Sequence, residues 1–342
     1  MMNRRVKSIM KLFNNTDEIE ELTPSRRIQF WTILSFEIPS LICAIYVLCN
    51  LLRRKHLRQA LHNHVIIILL FLTLVVEIID NPLYLDAYHH QGQNSFSSSS
   101  SVCLLWWLVD YGVYGAINVL FTWTSLERHI LIFSHRRFLN TRKKRCLFHY
   151  APLTLILIYL TGFYIGIIIF PPCENSFDFH LEACGMSPCY ESVHWLNIWD
   201  YMINGVVCAW LEFFSSILLL ARLIYRRYRA KQSIYWKKHR LMTIQVLSIS
   251  VLSLSITLPQ AIITNIQRIY PSMENFGTEV SDYFFFLTNF VVLLFPFLCL
   301  TCLSELWPSR WSMFRNETVV PLQLISIKPV AKSFLSRRIF MH

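Results

Sequence analysis

The stretch VIIILLFLTLVVEIIDNPLYL, residues 65–85, settles the class of structure. From Val65 to Val76 its only polar side chain is Thr73. A helix on the surface of a soluble protein keeps a polar face, and this one has none. About 20 such residues cover the ~30 Å hydrocarbon core of a bilayer. There the backbone must satisfy its own N–H and C=O groups, so the segment is a membrane-spanning helix. Runs of the same kind recur on either side. The spans are placed at 28–52, 64–85, 102–134, 149–170, 195–225, 240–266 and 280–304. Composition agrees: of 342 residues, 54% are hydrophobic and 15% charged, where soluble domains carry roughly a quarter charged. The expected fold is an all-α membrane protein, a seven-transmembrane helix bundle over 28–304. A tail, 1–27, precedes it and another, 305–342, follows. The first 26 residues are polar and mixed in charge, so no cleavable signal peptide is expected and span 1 serves as the insertion signal.

The net charge of +11 does not point to nucleic acid. Its basic residues lie in loops, where they meet anionic inner-leaflet lipid and cytosolic partners. They also set the orientation. The loop after span 1 holds Arg53, Arg54, Lys55 and Arg58; that after span 3 holds Arg136, Arg137, Arg142, Lys143, Lys144 and Arg145; that after span 5 holds Arg226, Arg227, Arg229, Lys231, Lys237 and Lys238. The loops after spans 2 and 4 have no Lys or Arg, and the loop after span 6 has Arg268 alone. The N-terminus is therefore expected outside and the C-terminus inside. Arg4, Arg5, Lys7, Lys11, Arg26 and Arg27 in the tail pull the other way. An outside tail makes Asn14, in Asn14-Asn15-Thr16, a glycosylation acceptor.

Of ten cysteines, only Cys299 and Cys302 show C-x-x-C spacing, and no second pair completes a metal site. No metal or cofactor is implied. Neither H-E-x-x-H nor a Gly-flanked serine occurs, so the chain is read as a non-enzyme.

Span 3 ends in Leu126-Glu127-Arg128-His129, followed by a basic loop, and Cys103 lies 25 residues before Arg128. Prolines stand at Pro82 in span 2, Pro259 in span 6 and Pro296 in span 7. With seven spans, these features resemble a divergent rhodopsin-like G-protein-coupled receptor. The resemblance covers nearly the whole chain in layout and about half of the family's motifs. Where the family usually has the span 2 Asp, the span 6 Trp, and the Asn and Tyr of span 7, this chain has Thr73, Thr257, Phe295 and Cys299. Span 4 lacks the usual Trp and span 5 the usual proline. The resemblance implies that Glu127 holds Arg128 at rest, and that Arg128, with His129, Arg136 and Arg137, meets a heterotrimeric G protein in the active state. It implies helix kinks at the three prolines, and a bond from Cys103 to the loop containing Cys173, Cys184 and Cys189. The expected pairs are Cys103–Cys189 and Cys173–Cys184. It also implies a plasma-membrane location.

Acids inside spans are functional candidates because they are costly there: Glu37, Glu77, Asp80, Asp110, Asp200 and Glu212. Asp110, two turns below Cys103, sits where receptors of this kind pair a carboxylate with a ligand cation. Trp107, Tyr111 and Tyr114 are candidate aromatic walls, with Gln260, Thr264, Phe286 and Asn289 from spans 6 and 7. Glu174, Asp178, Glu182, Glu191, Glu274, Glu279 and Asp282 make the outer rim acidic, a field that attracts a basic peptide or amine. The competing reading is a seven-span transporter or channel whose path runs through Glu37, Glu77 and Asp80, although no internal repeat supports it.

Overall fold

The computed structural model describes residues 24–90, 99–133, 140–179, 184, 187–230, 233–269 and 276–302, with backbone alone at 226–230, 233–246, 268–269 and 302. These all belong to one unit, Met1–Leu306. Asn14, Arg136, Arg137, Glu182 and Glu274 lie outside the described residues. The fold is helical, with no strand among the described residues. Among the described residues, seven helices are long and apolar enough to cross a bilayer: α1 Arg26–Arg53, α2 Leu61–His89, α3 Ser100–Phe133, α4 Arg142–Ile169, α5 His194–Tyr225, α6 with its apolar part at Leu247–Gln267, and α7 Thr278–Cys302. The chain is thus built as a multi-pass membrane protein.

Local chemistry explains several boundaries. α1 stops at Arg53, whose charge suits a helix C-terminus. A single helical turn, Lys55–Arg58, then joins α2 because the Asn63 amide donates back to the Leu57 carbonyl at 2.9 Å. Thr141 caps α4 by accepting from the Lys144 N–H. The four basic residues that follow, Arg142–Arg145, oppose the dipole at a helix N-terminus, so helix stability does not account for their position. Pro259 and Pro296 sit inside continuous helices.

α3 is the hub, packed against α2, α4, α5 and α6, while α7 packs on α1 and α6. One apolar cluster, with Val47, Ile66, Leu69, Leu120, Phe121 and Phe295, fills the half of the bundle nearer Arg128. A second, with Tyr84, Trp106, Trp107, Tyr164, Ile168 and Tyr190, fills the half nearer Cys103. Ile38, Ile42, Phe71, Ile78, Leu155, Ile158, Phe214 and Val251 point outward and are exposed. In water such a belt would drive association; in a bilayer it is the lipid-facing surface.

Among the described residues, five segments wind more widely than an α-helix: Val76–Asp80 in α2, Leu108–Val113 in α3, Cys146–Tyr150 and Ile165–Ile169 in α4, and Asp200–Val207 in α5. The first ends just before Pro82, which cannot donate a backbone hydrogen bond. Wide turns of this kind gather at functional sites, and here they carry Glu77, Asp80, Asp110 and Asp200.

The disulfides correct the expected pairing. Cys103 bonds Cys184 and Cys173 bonds Cys189, with Cα–Cα distances of 5.9 and 6.0 Å. Cys189 lies at the foot of the loop, where its N–H donates to Asn175 at 3.0 Å, beside Cys173 and the end of α4. Cys184 is buried over α3, held by the Asp178 N–H donating to its carbonyl and by Phe177 stacked on Trp107. The nearer cysteine to α3 in space is therefore the earlier one in sequence.

Gly115 sets the spacing of α3 from α4. A Cβ there would collide with the Tyr164 hydroxyl and lie 2.7 Å from the ring carbon that bears it. Gly115→Ala is expected to cost about 1–3 kcal/mol through overpacking. A thermal-unfolding midpoint in lipid nanodiscs that stays at the parent value would show that Tyr164 has room to move.

Candidate functional site

A cavity of about 530 Å³ opens between α3, α5, α6 and α7 and reaches the loop at Ser187. The volume falls in the range of small-ligand sites. Its lining includes Asp110, Tyr111, Tyr114, Gln260, Thr264 and Asn289, so the structure brings six of the expected ligand-site residues together. Tyr114 donates to Asn289 at 3.1 Å across the bundle, and Tyr111 stands edge-on to Tyr190.

The expectation for Trp107 and Phe286 is corrected. Trp107 is fully buried beneath Phe177, and Phe286 packs against Phe290; neither lines the cavity. For Trp107 the cause is the wide turn that begins at Leu108. Ordinary helical spacing puts positions 107, 110, 111 and 114 on one face, but an added residue per turn rotates the helix between them.

Three carboxylates line the cavity: Asp110, Asp200 and Glu212. No Lys, Arg or His is among its described lining residues. Asp200 is fully engaged. It accepts from Tyr164 at 2.8 Å, Tyr190 at 3.0 Å and the Asn204 amide at 2.9 Å, and so ties α4, α5 and the loop together. Burial, then the charge of Asp200, pushes the Tyr190 phenol above its ordinary value and keeps it a donor. Asp110 lies beside the Tyr84 phenol. Glu212 is 3% exposed; one oxygen faces Ser253 at 3.4 Å, with Ser250 nearby, and the other makes no hydrogen bond. Its role was not legible in sequence beyond its being an acid within a span.

Toward α1 lies a second acidic group. Asn81 donates to Glu37 at 2.5 Å, and the Ser40 hydroxyl lies 2.5 Å from a Glu77 oxygen and 2.8 Å from the Leu293 carbonyl, its single proton serving one of them at a time. Asp80 is fully buried beside the Trp106 indole, and neither of its oxygens reaches hydrogen-bond geometry.

At the far end of α3 the expected Glu127–Arg128 clasp is absent. Glu127 instead takes His149 of α4 as its partner, and His149 bonds His64 of α2 at 2.9 Å. The chain of bonds ends where the His64 Nε2–H donates to the Arg58 carbonyl at 3.0 Å. A carbonyl only accepts, so His64 Nδ1 must accept from His149 Nε2–H when His64 is neutral. His149 Nδ1 and Glu127 then share one proton, as an imidazolium–carboxylate pair or as a neutral imidazole with a carboxylic acid. Arg128 is fully buried; its Nη2 donates to the His62 carbonyl at 3.3 Å, while Nε and Nη1 have no partner. The reason is geometric, since consecutive helical residues point about 100° apart and Glu127 turns toward α4. His129 donates to the Ser215 carbonyl at 2.8 Å and faces α5. Between this end and the cavity, Ser125, Ser216 and Ser250 form a triangle with sides of 2.9 to 3.4 Å that joins α3, α5 and α6.

The chain matches no protein-family model and no curated protein, so the functional reading rests on these residues.

His149→Phe keeps an aromatic ring, one somewhat larger than imidazole, and leaves Glu127 buried without its partner. Breaking such a pair is expected to cost about 3–5 kcal/mol. Glu127→Gln in the same background should recover much of the loss, and thermal unfolding of the two variants side by side checks this; no recovery would mean that the pair does not carry the effect.

Proposed function

We propose that the chain is a rhodopsin-like G-protein-coupled receptor of the plasma membrane for a cationic extracellular ligand, a peptide or amine, and signals through heterotrimeric G proteins. The N-terminus lies outside and the C-terminus inside, as the basic loops favour. One observation carries the reading. A cation-seeking cavity and a buried, mostly unpartnered Arg128 stand at opposite ends of one helix, α3, with the serine triangle between them. An arginine held in this way is costly and is retained where an incoming partner will accept it. A ligand in the cavity shifts the packing of α5, α6 and α7, breaks the triangle and releases Arg128. This is a population shift between two bundle states.

The transporter reading keeps one favourable observation, the buried Asp80 without a hydrogen bond beside Glu37. A transport current that depends on Glu77 would establish it.

G-protein activation in cells, basal or ligand-driven, is expected to disappear in Arg128→Ala at matched surface level. Activation that survives the substitution would remove this receptor mechanism.

A further inference from the structure

The two carboxylates that the fold leaves available in the cavity lie at opposite ends of it. Asp200 is out of play, because its three donors occupy both oxygens. Asp110 is level with Asp200: its neighbour Tyr111 meets the ring of Tyr190, whose hydroxyl bonds Asp200. Glu212 lies on the same helix as Asp200, and at ~1.5 Å per residue it sits about 15 Å deeper, allowing for the wide turns from Asp200 to Val207. Along α3, Thr122 donates to the carbonyl of Cys208, one turn before Glu212, so Glu212 lies more than about three turns beyond Asp110.

Glu212 is built to receive something. It is buried, lines the floor of the cavity, and has one oxygen that makes no hydrogen bond. The side chains between the two acids are neutral: Tyr111, Tyr114, Asn118, Asn204, Thr257 and Gln260. They offer aromatic faces and amide oxygens along the way, and no cation that would repel a second positive group.

Resting on the receptor reading of this cavity, we infer that it takes an elongated cation with an ammonium at each end, a linear polyamine or a molecule of that shape, with one terminal ammonium at Asp110 and the other at Glu212. Charge-assisted hydrogen bonds at both ends reward a chain that spans the cavity and fail a short one. The deep ammonium takes the Glu212 oxygen that has no donor and draws the carboxylate from the long 3.4 Å contact that Ser253 of α6 makes with the other. Reaching the floor therefore loosens α5 from α6, and length becomes a determinant of signalling as well as of binding.

The test is binding to the purified full chain in nanodiscs of zwitterionic phosphatidylcholine, read as thermal stabilisation, with spermine, putrescine and N-acetylspermine as probes. Spermine is expected to act at a concentration at least about tenfold lower than putrescine or N-acetylspermine, the smallest gain from one more charge-assisted hydrogen bond. Glu212→Gln should erase that preference and leave putrescine unaffected, whereas Asp110→Asn should weaken all three. Thr257→Leu narrows the passage without touching Glu212 and should also erase the preference, which keeps the test valid if Glu212→Gln fails to fold. A preference that survives either substitution in a folded protein, or no spermine binding by the parent chain, would overturn the inference. The readout is binding alone. A chain that activates G proteins without a length preference sinks this inference and spares the receptor reading. A chain that binds with the preference and never signals does the reverse.

Discussion

A carboxylate placed in hydrocarbon must find its partner within the protein, and that constraint organises this bundle. Hydrocarbon does not solvate Glu37, Glu77, Asp80, Asp110, Asp200, Glu212 or Glu127, and an unpaired buried charge is too costly to keep by accident. Each engaged acid therefore fastens helices together. Asp200 draws in Tyr164, Tyr190 and Asn204. Glu77 draws in Ser40, which also reaches the α7 backbone. Glu127 draws in His149 and, through it, His64. Apolar packing fills the space between, but it has little directional content, and lipid competes for the same surfaces. The polar clasps decide which faces meet.

The same constraint sorts structural acids from functional ones. Asp200 is satisfied by three donors and behaves as a joint. Glu212 and Asp110 are less completely engaged and face a cavity, so the fold leaves them capacity to bind. Arg128 stands in a similar position at the opposite end of α3, with one backbone carbonyl for its guanidinium. Because the motif's glutamate is bonded to α4, Arg128 has that charge nearby but its one hydrogen bond is to a backbone carbonyl of α2.

Close packing of α3 depends on Gly112 and Gly115, which let Tyr164 lie flat against the helix and reach Asp200. The wide turn at Leu108–Val113 covers the same stretch. Together they let one helix carry a disulfide, a cavity-facing acid and a buried arginine in sequence. The loop bond from Cys184 closes the top of this assembly over Trp107.

The helical class, the number of apolar spans and most of their limits were legible in the sequence, apart from the start of α4 at Arg142 rather than 149 and of the apolar part of α6 at Leu247 rather than 240, because hydrocarbon admits so few backbone solutions and a long apolar run such as 65–76 has one reading. So was the set of acids that would lie inside, and so were Asp110, Tyr111, Tyr114, Gln260, Thr264 and Asn289 as candidates for one site. The partners were settled by packing. Trp107 left the expected face because the wide turn breaks the ordinary helical period. Cys184 rather than Cys189 reached Cys103 because the loop folds back before it enters α5. His149 took Glu127 because residues far apart in the chain meet where α3 crosses α4. Periodicity encodes which residues are buried, since burial is a property of one helix against its solvent. Pairing depends on where two helices meet, and that is fixed only when all seven have packed.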